Sequence, residues 1–149
     1  MIILALHSNR IAAFQILPRN QNVNHEVYVN FLKDYVLPYI REHRIRTPLI
    51  MQDNARPHMH HNVRAFMGRH RWVALDHPPY SPDIHPADFD AIARIKRPNK
   101  GIRFKSETEL RDTYTQTINE INQSGSSIGI SLLPQRWRKV MTNGGEYIV

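Results

Sequence analysis

Apolar residues in this chain switch between strand-like and helix-like spacing in a fixed order, and that order constrains the fold more than any other feature. Residues 2–6 and 11–17 are short runs rich in Ile, Leu and Phe, separated by the turn-like His7-Ser8-Asn9-Arg10, which predicts a β-hairpin closed by Pro18. From Asn24 onward Val27, Phe31, Leu32, Tyr35, Val36, Tyr39 and Ile40 recur at helical spacing. Asn24 is placed to cap that helix and Glu26 falls in its first turn; the helix should run to about residue 44, with Pro38 able to kink it. Thr47–Gln52 reads as a buried strand, Pro57 to about His70 as a helix, and Trp72–Leu75 as the next strand.

Between His77 and Pro86 stand Pro78, Pro79, Pro82 and Pro86, so this stretch is an extended, turn-rich loop with a new helix beginning at its end. Ser106-Glu-Thr-Glu109 has the form of a capping box, opening a helix with Leu110, Tyr114, Thr117, Ile118 and Ile121 on one side. Gly125–Gly129 is a loop, and a final short helix is expected from Pro134. The order is that of an α/β protein, built on a mixed sheet flanked by helices. At 149 residues, one domain spanning 1–149 is the expectation.

Lys and Arg number 20 against 13 Asp and Glu, so the net charge of +7 favours polyanions, nucleic acid first and an acidic membrane surface second. No apolar run approaches the roughly 20 residues that span a bilayer, and the opening residues 1–6 are too short for a secretory signal and lack a preceding basic residue. The absence of cysteine excludes disulfides and thiolate metal sites.

Asp53 directly follows a strand, at the carboxyl edge where α/β proteins build their sites, but it is equally placed to cap a turn or the next helix. Asp88 falls in the first turn of a predicted helix, where the dipole alone stabilises a carboxylate. Arg94, Lys96, Arg97, Lys100, Arg103 and Lys105 form a run with no acid between Asp90 and Glu107, either a solvated face or a DNA contact. His58, His60, His61 and His70 lack the pattern of a zinc site and read as solvated imidazoles. Trp137 and Tyr147 are expected to pack the C-terminal helix onto the body.

Taken in order, Gln52-Asp-Asn-Ala-Arg-Pro-His58, His77-Pro-Pro-Tyr-Ser-Pro-Asp83, Asp88-Phe89, Lys100-Gly-Ile-Arg-Phe104, Leu133-Pro-Gln-Arg-Trp137 and Gly145-Glu-Tyr147 resemble the signature blocks of mariner-type transposases. Residues 54–87 separate Asp53 from Asp88, and those 34 residues are the spacing of that family's last two catalytic aspartates. The resemblance implies a ribonuclease-H-like fold and metal-dependent cleavage and strand transfer of DNA, with Asp53 and Asp88 as catalytic and metal-binding residues. Two hard cations, Mg²⁺ or Mn²⁺, suit carboxylate ligands and this chemistry. DNA contacts are expected from Arg56, His58 and the 94–105 run. DNA is the expected partner, with a homodimer as in the family, no membrane, no small-molecule substrate, and a nuclear location.

The resemblance begins at about residue 2, at what should be the family's second strand. The first strand, with the first catalytic aspartate, is expected to be missing, and mid-helix Asp34 cannot replace it. Two outcomes for function follow from the resemblance: a catalytically incomplete endonuclease domain with weak metal binding, or a non-catalytic, domesticated nucleic-acid-binding remnant. For the fold, strands 2–6 and 47–52 should pair directly, take a strand from a partner, or leave the chain prone to aggregate.

Overall fold

The computed structural model describes residues 1–148. They divide into two compact units, one formed by Met1–Ile3 and Ala13–Ser81, the other by Leu4–Ala12 and the chain from Pro82 onward. The expected hairpin is formed by β1 (Ile2–His7) and β2 (Arg10–Ile16), with Ser8 at φ 54° in its two-residue turn. The Leu17 amide extends the ladder at its base by donating to the Met1 carbonyl at 2.8 Å.

In the first unit the helix predicted from Asn24 is present, with the Asn24 side chain accepting the Val27 amide at 2.8 Å. It carries a π-bulge ahead of Pro38. α1 (His25–Phe31) runs into a wide π-turn over Leu32–Val36 and continues as α2 (Leu37–Glu42). Pro38 explains the site of the bulge, because it lacks the N–H that an α-helix would direct at the Asp34 carbonyl. β3 (Leu49–Met51) and β4 (Val73–Leu75) pair in parallel, with Leu49, Ile50 and Met51 opposite Val73, Ala74 and Leu75.

The single helix expected from Pro57 to His70 is two helices, α3 (Arg56–Met59) and α4 (His61–Arg69). His60 breaks them with an extended backbone, and its imidazole accepts the Asn62 amide at 3.2 Å, which supplies the cap that α4 needs. Phe31, Val63, Phe66, Met67 and Trp72 are buried in this unit, Trp72 meeting Phe66 edge-on at 5.3 Å.

The strand ending at Asp53 is not the buried element the sequence suggested. Leu49 is 61% exposed, and Val73 and Leu75 are exposed beside it, although parallel strands are usually covered on both faces. Among the described residues the strands form two separate two-stranded sheets, β1 with β2 and β3 with β4. Residues 2–6 therefore do not ladder directly onto 47–52.

In the second unit the loop before Asp88 tightens into a 3₁₀ turn at Pro82–Ile84. A second π-turn, Ala87–Ala91, then leads into α5 (Ile92–Lys96). α6 (Glu107–Ser124) starts as the sequence predicts, the Ser106 hydroxyl accepting the Glu109 amide at 3.1 Å. The Glu109 carboxylate reaches one residue further back than the motif implies and accepts the Lys105 amide at 2.6 Å. Thr117, Ile118 and Ile121 are buried, and Asn122 bonds both the N–H and the C=O of Ile11.

α7 (Gly129–Thr142) begins five residues before Pro134 and carries that proline in its interior. Its first residue is a tightly packed glycine, since a Cβ there would lie 3.0 Å from the Cβ atoms of both Pro86 and Asp90 and would force them to give. Trp137 and Tyr147 are 42% and 63% exposed, so neither performs the packing expected of it.

Candidate functional site

Asp53 lies two residues beyond the carboxyl end of β3, where the chain leaves the parallel pair and turns into α3. Its Oδ1 accepts the Ala55 amide at 3.0 Å and meets His58 Nδ1 at 2.5 Å, so the carboxylate is held both by the local turn and by the next helix. The Asp53 side chain stays 43% exposed, that of His58 only 20%.

Beneath them lies a partly buried polar chain. The Tyr28 ring from α1 lies 4.2 Å from that of His58, and its hydroxyl donates to Gln52 Oε1 at 2.5 Å. Gln52 Nε2 in turn donates to the His58 carbonyl at 3.3 Å. Burial first, and the Asp53 carboxylate second, push the Tyr28 hydroxyl well above the ordinary tyrosine range, so it remains a neutral donor. Within this unit an open cleft of about 560 Å³ has Asp53, His58 and Asp76 among its polar walls and Met67, Trp72 and Leu75 among its apolar ones.

Asp88 belongs to the second unit and stands on the Ala87–Ala91 turn. His85 Nδ1, three residues earlier, meets its Oδ2 at 2.9 Å, with the Asp88 side chain 39% exposed and that of His85 15%. Neither histidine partnership is visible as a motif: His85 lies in the proline-rich loop, and the sequence points to His58 only as an expected DNA contact.

Arg94 is engaged within its own unit, its Nε on Asp90 Oδ1 at 2.6 Å. Lys96, Arg97, Lys100, Arg103 and Lys105 are exposed, as is Arg56 at the start of α3. Several other histidines make ring contacts. His25 lies on His60 at 3.7 Å and His60 against His61 at 4.2 Å, while His70 packs on Phe66. Partial desolvation in that stack, then the charges of His25 and His61, hold His60 below the usual histidine range. Among the described residues no group of three or more His, Asp or Glu is arranged to hold a metal ion, and no helix is long and apolar enough to cross a membrane.

Taken singly, Asp53 and Asp88 are each of the carboxylate donor type that Mg²⁺ and Mn²⁺ accept. Mg²⁺ is commonly held by one or two carboxylates, with waters and substrate phosphates completing its shell, so a three-residue cage is not required.

The fold is shared with the solved Mos1 transposase catalytic domain. The Mos1 transposase catalytic domain solved with raltegravir and Mn superposes with a TM-score of 0.90 at 22% identity, over 99% of this chain and 76% of that one. The Mos1 strand transfer complex gives 0.89 at 24% identity, over 99% and 44%. At these identities the superpositions establish the fold alone.

Sequence relatives narrow the class. The human histone-lysine N-methyltransferase SETMAR is 27% identical over 100 residues, 67% of this chain and 15% of that protein. The Mariner Mos1 transposase of Drosophila mauritiana is 29% identical over 108 residues, 72% of this chain and 30% of that protein. No family model matches. The chain is thus similar in sequence to the Mariner Mos1 transposase and in fold to the Mos1 catalytic domain, and it spans less than a third of the length of either curated relative.

Proposed function

We propose that this chain is a transposase-derived domain that binds DNA and presents carboxylates for Mg²⁺- or Mn²⁺-dependent phosphodiester chemistry, with Asp53 and Asp88 as the metal-binding residues. The observation that carries the reading is Asp53, a half-exposed carboxylate at the carboxyl end of a parallel strand pair, fixed by Ala55 and His58 beside an open cleft. The sequence spacing of Asp53 and Asp88 supports it, as do the names of the relatives, a transposase and its strand transfer complex. When bound, the metal would activate the attacking oxygen and stabilise the leaving one. The chain's own part is to hold the two carboxylates.

These residues supply two of the three carboxylates that the family resemblance implies. By themselves they should bind metal weakly and leave DNA uncut. Adding Mn²⁺ to the 149-residue chain should enhance water-proton relaxation, and Asp53→Asn should remove that enhancement. Equal enhancement in the variant would overturn the assignment.

A second reading, DNA binding without cleavage, is favoured by the exposed cations of residues 96–105. Affinity for duplex DNA should fall steeply with salt, log K changing by about 0.9 per phosphate neutralised for each tenfold change in concentration. Replacing Lys96, Arg97, Lys100 and Arg103 together by Ala should flatten that slope. An unchanged slope would leave the run as a solvated face.

A further inference from the structure

Both candidate metal ligands share a feature that the resemblance does not supply. Each has one carboxylate oxygen on the Nδ1 of a histidine nearby in sequence: Asp53 on His58 at 2.5 Å, Asp88 on His85 at 2.9 Å. In each pair the histidine is the more buried member, with side-chain exposures of 20% against 43% and 15% against 39%. The imidazole thus lies behind the carboxylate, and the carboxylate faces solvent. We infer that His58 and His85 are positioning residues, each fixing through Nδ1 the carboxylate that binds the metal, so that metal affinity depends on two imidazoles that do not touch it. This rests on the metal-carboxylate reading of Asp53 and Asp88.

The support behind His58 is built for this task. Its ring lies against Tyr28 and its carbonyl accepts from Gln52, which also accepts the Tyr28 hydroxyl. Two side chains, Tyr28 and Gln52, therefore brace His58, and its imidazole holds one carboxylate oxygen. A bond from Nδ1 to a carboxylate requires a proton on Nδ1. That proton selects the donor face of the ring and fixes the rotation of the Asp53 side chain. A carboxylate free to rotate must be ordered by the metal at the moment of binding, whereas a restrained one is ordered already. Removing such an outer partner weakens metal affinity by about 10- to 100-fold in comparable sites.

The test is Mn²⁺ affinity of the 149-residue chain by water-proton relaxation, with a thermal melt of every variant. His58→Ala and His85→Ala should each weaken Mn²⁺ by about 10- to 100-fold. His58→Asn and His85→Asn, whose amide NH₂ stands where Nδ1 stood, should recover most of the affinity. His→Gln, which puts its donor at the Nε2 position, should not. A merely structural role would show itself in the melt and would not separate Asn from Gln. If the His58 variants fail to fold, the His85 series decides. Affinities unchanged in the alanine variants, while Asp53→Asn still abolishes binding, would overturn this inference and leave the metal assignment standing. No Mn²⁺ binding by the unmodified chain would remove the metal assignment, and this inference with it.

Discussion

Asp90→Ala is expected to destabilise the chain by about 2–4 kcal/mol, a loss visible as a lower urea midpoint. Asp90 is one of the few buried acids, and both its oxygens are engaged. Oδ1 accepts Arg94 Nε at 2.6 Å, and Oδ2 accepts the buried Gly129 amide at 3.1 Å. Truncation would leave that amide dry at the start of α7, where Gly129 is too closely packed against Pro86 and Asp90 for the gap to be absorbed easily. The loss of the Arg94 partnership counts for less, because the Arg94 side chain is a third exposed and water takes over part of its solvation. Asp90→Asn keeps the shape and an acceptor for Gly129, so it should cost clearly less than the alanine variant. Equal losses for the two would place the effect in packing and not in the hydrogen bond.

Phe31→Ala should cost about 3–5 kcal/mol, the usual range for emptying a fully buried phenylalanine site. Phe31 is 1% exposed, the largest of the fully buried side chains, and closes α1 just before the first π-turn. Its ring stacks at 5.7 Å on Tyr35, which is itself 43% exposed and cannot swing in to fill the space without abandoning its own position. Equilibrium urea unfolding measures the loss. A change below about 1 kcal/mol would mean that the site collapses on truncation, contrary to the packing described. Both losses are large against the 5–15 kcal/mol of a typical domain.

Much of this was readable from residues whose physics is local. Asn24 and Ser106 cap their helices because a short oxygen placed before an apolar periodicity has an orphan amide to accept, whatever surrounds it. Other features were hidden because their causes are not local. His60 breaks α3 from α4 with neither glycine nor proline to announce it; the break is held by an imidazole acting as a cap and stacking on His25, 35 positions earlier in the chain. Pro134 suggests the first residue of a helix because proline favours that position, yet α7 tolerates it inside. Trp137 was judged by residue type, and its 42% exposure shows the weakness of that rule for a large ring.

At the site, the sequence spacing located Asp53 and Asp88 but said nothing of their partners. His58 and His85 sit at +5 and −3 from their aspartates, separations with no shared periodicity, so no pattern search would link them. Tyr28 and Gln52 are invisible for the same reason, being joined only when α1 packs against α3 and α4. The exposure of Leu49, Val73 and Leu75 was concealed by composition, since an apolar triplet looks the same covered or bare.

The two π-turns carry a consequence for how this chain aligns with its relatives. In each, an amide reaches back five residues, Leu37 to the Leu32 carbonyl and Ile92 to the Ala87 carbonyl. That is the geometry a one-residue insertion leaves in an α-helix, and it shifts the phase of everything downstream by about 100° relative to an uninterrupted helix. Asp88 stands on one phase, while Arg94 and the buried Ile95 stand on the next. A relative one residue shorter between 88 and 91 would present a different helical face after the same aspartate, so a gapless alignment through this helix would match residues that point in different directions.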